Sequence, residues 1–153
     1  MEIELVLSGG AAVAIYNDKY VSLDIDLIIV YSAKTREIKN AMEEISFVKE
    51  GKHYRHSDSR YIVEFVAGPL SIGKEPVRKI DELKLATGTL KLLSPTDCVK
   101  DRLAAYYFWD DGQGLAQAIL ISKVQHIDID EVERWSDVEG MLEKFDRIKS
   151  QFV

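Results

Sequence analysis

Two acids one residue apart, Asp24-Ile25-Asp26, open the apolar run Leu27-Ile28-Ile29-Val30, and fourteen positions before Asp24 stands the glycine pair of Val6-Leu7-Ser8-Gly9-Gly10-Ala11-Ala12. Side chains along a strand alternate faces, so Asp24 and Asp26 aim their charges at one small volume. Carboxylates held that close repel unless a proton or a cation lies between them. A divalent metal is the usual remedy, and an all-oxygen donor set suits Mg²⁺ or Mn²⁺. The glycine turn reads as strand-to-helix, and free backbone N–H groups at a helix start hold phosphate readily. Metal ligands beside a phosphate cradle point to phosphoryl or nucleotidyl transfer. The plainer alternative is a pair of solvated strand-end acids beside an ordinary turn.

A third acid sharpens the pattern. Glu64 is the one charge in the β-branched and aromatic run Tyr61-Ile62-Val63-Glu64-Phe65-Val66, which marks a strand. Either Glu64 lies on an exposed sheet face with Ile62 and Val66, or it completes a three-carboxylate cluster with Asp24 and Asp26.

These residues must be positioned by a scaffold that the rest of the chain describes. Its 153 residues suit one compact domain. A net charge of −6 argues against non-specific affinity for nucleic-acid backbone or anionic membrane. No apolar run is long enough to span a bilayer, and no basic-then-apolar signal segment opens the chain. The single cysteine, Cys98, forms no internal disulfide and reads as buried packing. A cytoplasmic protein is expected.

Residues 2–7 read as a strand, 11–16 as a short helix, 21–31 as containing a second strand, and 34–45 as an amphipathic helix. Residues 47–55 read as one short edge strand, 61–66 as a strand stopped by Gly68-Pro69, and 77–93 as further extended structure. Ser94-Pro95-Thr96-Asp97 then announces a helix, with a Ser cap, Pro at the first position and an acid in the first turn. That helix is expected to reach about Trp109, with Asp110-Asp111 as a helix-end turn. Gly112 to Gly114 should break the chain before a helix over 115–125, with His126 at its C-terminal end. Asp128 or Asp130 should cap a helix through Trp135, and 138–152 should form a last amphipathic helix. The expected fold is α+β: residues 1–93 form a mixed β-sheet with flanking helices, and residues 94–153 a helical lobe packed on it.

With the glycine turn, the Asp pair, Glu64 and the Ser-Pro-x-Asp helix opening in this order, residues 3–124 resemble the nucleotidyltransferase fold superfamily related to DNA polymerase β. Within it they are similar to small prokaryotic nucleotidyltransferases of toxin–antitoxin and abortive-infection systems. Those often carry Gly-Gly-x-Ala, a Ser two positions before the first Asp (here Ser22), and a helix opening like Ser94-Pro95-Thr96-Asp97 followed by Lys100-Asp101-Arg102-Leu103. The resemblance implies that Asp24, Asp26 and Glu64 are catalytic and bind Mg²⁺ or Mn²⁺. It implies that Ser8, Gly9, Gly10, Ala11 and Ser22 hold the phosphates of an NTP, with Lys100 or Arg102 neutralising developing charge. The acceptor is an unidentified hydroxyl on RNA, protein or a small molecule.

Two departures matter. Gly10 stands where many relatives have a Ser, and Gln117 lies where an acidic segment is expected. A catalytically inactive, antitoxin-like protein partner is therefore the alternative, and it calls for an exposed apolar patch, such as one built from Trp135 and the last helix. The aromatic run Tyr106 to Trp109 offers base-stacking candidates. His53 and His56 lack a third ligand for a zinc site.

Overall fold

The computed structural model describes residues 2–152. Its centre is a seven-stranded mixed sheet. The first strand, β1 (Leu5–Ser8), turns at once into α1 (Gly9–Tyr16), and β2 (Asp24–Ile29) returns antiparallel beside β1. After α2 (Thr35–Glu44), the strands β3 (Phe47–Glu50) and β4 (His53–His56) make an antiparallel hairpin. Strand β5 (Ile62–Val66) then lies antiparallel to β4 and parallel to β2.

The short pair β6 (Ser71–Ile72) and β7 (Glu75–Pro76) stands apart from this sheet. The hairpin of β8 (Ile80–Leu85) and β9 (Gly88–Leu93) closes it, with β9 parallel to β1. The order across the sheet is β3-β4-β5-β2-β1-β9-β8.

Alternation along the strands divides the core in two. Ile25, Leu27, Ile29, Val63 and Phe65 point to one face, where α2 covers them with Ile38 and Met42. Val6 and Ile28 point to the other, into a larger core with Val13, Leu93, Leu103, Ile121 and Trp135. That larger core is built under α1 by the C-terminal helices α3 (Pro95–Trp109), α4 (Gly112–Ser122) and α5 (Ile129–Val138). Polar pins orient them: the Tyr16 hydroxyl donates to the Leu93 carbonyl at 2.6 Å, and Asn17 Nδ2 to the Leu120 carbonyl at 2.8 Å. Trp135 is fully buried, stacked on Tyr107 at 5.8 Å between centroids, and its indole N–H donates to the Ile72 carbonyl. Cys98 is buried beside Val99.

Ser94 caps α3, its Oγ accepting from the Asp97 N–H at 3.2 Å, and Pro95 is the first helical residue. Asp128 caps α5 in the same way through the Glu131 N–H. Three sequence expectations are corrected and one element is new. Residues 47–55 form a hairpin around Gly51 instead of one strand, because φ is +63° there and the chain reverses. Residues 71–76 form the unexpected two-stranded pair. The break between α3 and α4 falls at Asp110, with φ +48°, and Asp111 caps α4, so Gly112 and Gly114 lie inside that helix. Gly140, at φ +75°, interrupts the expected last helix, leaving α6 (Leu142–Asp146) and a 3₁₀ turn at Lys149–Gln151.

Gly114 is where α4 touches α3. A Cβ there would lie 2.5 Å from the Arg102 carbonyl oxygen, whereas a Cβ on Gly112 meets nothing. Gly114→Ala is expected to cost about 1–3 kcal/mol through overpacking, while Gly112→Ala should be neutral or stabilise by up to ~1 kcal/mol through helix propensity. Thermal unfolding of the two variants checks this. Equal effects would mean that the α3–α4 approach is not tight.

Candidate active site

Strand register builds a row of chemistry across one sheet face. Asp26 is the Cα partner of Ser8 on β1 and of Glu64 on β5, and Glu64 is the partner of His53 on β4. Partners on neighbouring strands present side chains to the same face. Ser8, Asp26, Glu64 and His53 therefore form a line, with Asp24 two residues before Asp26 on that face. The greasy alternate residues of β2 and β5 are held by α2 on the opposite face, which fixes the acids outward from that core.

Asp26 feels its neighbours. Burial, then the Glu64 charge, then Asp24 and Asp101 push its pKa above the ordinary carboxylate range, with Arg102 opposing them. The Glu64 carboxylate leans toward Lys52 Nζ at 3.4 Å and His53 Nε2 at 3.9 Å.

The turn from β1 into α1 meets this row edge-on. Gly9 has φ +64°, and a Cβ on it would stand 2.5 Å from Asp26 Oδ2. Only glycine satisfies both the left-handed backbone and the close approach. The Gly9 N–H donates to Asp101 Oδ2 at 3.2 Å. Arg102 donates to that same oxygen through Nε at 3.0 Å and Nη2 at 2.8 Å, and through Nη1 to Gln117 Oε1 at 3.2 Å. Burial alone would lower the Arg102 pKa, but the charge and hydrogen bonds of Asp101 and the charge of Asp26 raise it, so the guanidinium is a fixed cation.

Gly10 faces hydroxyls. A Cβ there would lie 3.1 Å from Ser22 Oγ, 3.3 Å from the Tyr20 hydroxyl and 3.4 Å from Gln117 Nε2. Two hydroxyl groups thus border the space into which a serine at position 10 would project. Ser22 Oγ donates to the Asp24 carbonyl at 2.8 Å, tying the entry of β2. Gln117 is buried and donates to the Tyr20 hydroxyl at 2.6 Å, so it joins Arg102 to Tyr20. Ala11 follows in the first turn of α1, packed on the larger core.

Lys100 is not brought to the acids. Its ammonium is buried on another side of α3, 2.9 Å from Glu131 and 3.5 Å from Asp97. Residues two apart on a helix sit about 200° apart, so Lys100 and Arg102 cannot serve one site. Lys100 lines a separate cavity of about 680 Å³ with Arg134, Glu75, Asp128 and His126. Two of its cations are paired with acids: Arg134 clamps Glu75 and Glu131 and, with Lys100, holds the Glu131 carboxyl down to about 2. His126 lies in the loop after α4, not at its C-terminal turn. Of the aromatic run, Tyr107 is core, Tyr106 lies under Lys144 at 4.5 Å, and Trp109 is 83% exposed. Trp135, fully buried, can form no docking patch.

Asp101, Tyr20, Lys52 and His53 are the members that the motif reading did not assign. Asp101 carried one usable signal, its place next to Arg102 one turn after Asp97 in α3.

Among the described residues no three acid, histidine or cysteine side chains close round a single point. Glu64 leans instead toward Lys52 and His53. The all-oxygen donors of Asp24, Asp26 and Glu64 are nevertheless the type that a hard divalent cation takes.

No family model and no curated protein matches the chain. Among solved structures it is similar to an antigenic nucleotidyltransferase-like protein from Paracoccidioides brasiliensis, with a TM-score of 0.61 at 15% identity over 98% of this chain and 84% of that one. The two share a nucleotidyltransferase-like fold. No helix among the described residues is long and apolar enough to cross a membrane.

The raised Asp26 pKa sets a pH signature in metal-free protein. An acid whose folded pKa is raised contributes stability that is full below its unfolded pKa of about 3.9 and is lost as pH rises through the folded value. Asp26→Asn should therefore unfold at a higher temperature than the parent at pH 7, and that advantage should shrink toward pH 3. A variant destabilised at pH 7 and matched at pH 3 would show that the Asp26 charge is stabilising.

Proposed function

We propose that this protein is a metal-dependent nucleotidyltransferase that transfers a nucleoside monophosphate from an NTP to an acceptor hydroxyl. The observation that carries the reading is the register Ser8–Asp26–Glu64, with the glycine start of α1 abutting Asp26. Asp24, Asp26 and Glu64 would hold Mg²⁺ or Mn²⁺. Bound there, the metal would supply charge neutralisation on the phosphates and a more acidic acceptor hydroxyl.

The chain's own groups divide the remaining work. Backbone N–H groups at Gly9, Gly10 and Ala11 hold the β- and γ-phosphates at a helix start. Glu64 accepts the proton of the acceptor hydroxyl as its oxygen bonds to the α-phosphorus and the bond to the β-phosphate oxygen breaks. Arg102 offsets the negative charge growing on the departing pyrophosphate. Ser22 and Tyr20 border Gly10, so they can offer the hydroxyl contact that a serine at position 10 would have made. Gln117, an amide, cannot act as a general base, and its role is to hold Arg102 through Oε1.

The alternative, a non-catalytic antitoxin-like partner, keeps the fold but gives no role to three acids on one face. Its proposed patch at Trp135 is lost to the core.

Incubation with α-labelled NTPs, Mg²⁺ and either RNA, lysate protein or small-molecule acceptors should yield a labelled product. Asp24→Asn with Asp26→Asn should abolish labelling without loss of fold. Arg102→Ala should lower turnover by about 10²–10³-fold, the scale of losing a preorganised charge-stabilising group. Labelling undiminished in the double variant would exclude the metal-bridged reaction.

A further inference from the structure

Helix α1 begins with an uncapped end. Ser8 is the residue type that ordinarily caps a helix, yet its side chain makes no capping hydrogen bond and stands 3.5 Å from the Asp26 carbonyl. The acceptor at this helix start comes from 92 positions away: Asp101 Oδ2 takes the Gly9 N–H. That single oxygen also takes two N–H groups of Arg102, at 3.0 and 2.8 Å. A helix-end amide and a guanidinium fork converging on one anionic oxygen are the donors that hold a phosphate oxygen.

Two anions cannot share these donors. The Asp101 and Arg102 side chains are 23% and 18% exposed, so Asp101 has an outlet to solvent. Arg102 has a second anchor in Gln117 Oε1 that does not depend on Asp101. The neighbouring Asp26 carboxylate also makes the seat of Asp101 electrostatically crowded.

We propose that Asp101 is a resident anion in the polyphosphate cradle, displaced when the triphosphate arm of a nucleotide enters, so that Gly9 and Arg102 pass from its carboxylate to phosphate. The inference rests on the transferase reading and adds to it a positioning residue. Asp101 holds the two donors in place before substrate arrives and raises the threshold for weakly charged ligands. A ligand must bring more negative charge to this point than one carboxylate, which favours a phosphate-bearing ligand over a neutral nucleoside.

The test is calorimetric binding of inorganic tripolyphosphate without divalent cation, to wild type, Asp101→Asn and Asp101→Glu. Asparagine keeps the shape and an oxygen for the Gly9 N–H but removes the competing charge. Asp101→Asn should bind tripolyphosphate about tenfold tighter or more, a factor worth about 1.4 kcal/mol, and Asp101→Glu no tighter than wild type. Adding Arg102→Ala to Asp101→Asn should erase the gain. If Asp101 is merely a support for Arg102, Asp101→Asn should bind equally or more weakly, and the inference falls.

Should Asp101→Asn fail to fold, NMR of the wild type decides. The Gly9 amide and the Arg102 Nε–H should both shift on tripolyphosphate addition; a stationary Arg102 Nε–H would overturn displacement. Labelled product from wild type with no tightening in Asp101→Asn sinks this inference alone. Tightening with no labelled product from any acceptor sinks the transferase reading alone.

Discussion

The arrangement depends on one largely desolvated cation, the guanidinium of Arg102, whose side chain is 18% exposed. Taking such a charge out of water costs several kcal/mol unless it is paired and its donors are satisfied. Asp101 and Gln117 do that from α3 and α4, and the Asp26 charge adds to it from β2. This works only because α3 and α4 approach closely, and that closeness is set at the Arg102 carbonyl, where Gly114 has no side chain to interfere. Gly9 is the matching concession on the sheet side, since any Cβ there would collide with Asp26. Two glycines far apart in the chain thus serve one electrostatic centre.

Helix α3 carries two basic residues on different sides, and they do different work. Arg102 faces α1 and the acids. Lys100 faces α5, where Asp97, Glu131, Arg134 and Glu75 form a linked set that ties α3 to α5 and to the β6–β7 pair. A cavity of about 680 Å³ lies on the Lys100 side. A cavity of that kind is an ordinary candidate binding site, but Lys100 and Arg134 within it are already paired with acids. The acid row is the reverse: it gathers more negative charge than the cations beside it compensate.

Much of this was legible in the sequence because it rests on local rules. The strand–glycine–helix turn, the alternation in Asp24-Ile25-Asp26 and the Ser94-Pro95 cap are short-range signals, and each stands within about two residues of its expected place. The nucleotidyltransferase-like fold followed from their order, and the similarity to a solved structure agrees with it. What escaped is set by long-range partners. Whether residues 47–55 run straight or reverse depends on β4 finding β5, and whether 138–152 stay helical depends on Gly140 adopting a positive φ. Gly112 and Gly114 looked like a break because glycine weakens helices, but tertiary packing on α3 overrides propensity. The choice between Lys100 and Arg102 was readable from helical geometry, since residues two apart diverge by about 200°.

A shared fold does not by itself carry an activity, and at 15% identity the comparison speaks to the fold. The argument for chemistry comes from charge placement instead. Lys52 and His53 engage Glu64 at the outer end of the row, and Asp101 engages Arg102 at the inner end. Between them, Asp24 and Asp26 share a face with no ion-pair partner of their own among the described residues, and Asp26 is already strained toward protonation by burial and Glu64. Asp26 helps offset Arg102, but Asp24 has no such partner among the described residues, and the pair still repel each other across one face. On the proposed reading, a positive charge arriving with the ligand would relieve that repulsion, and a cation-loaded polyphosphate would bring both the charge that the acids attract and phosphate oxygens for Gly9 and Arg102.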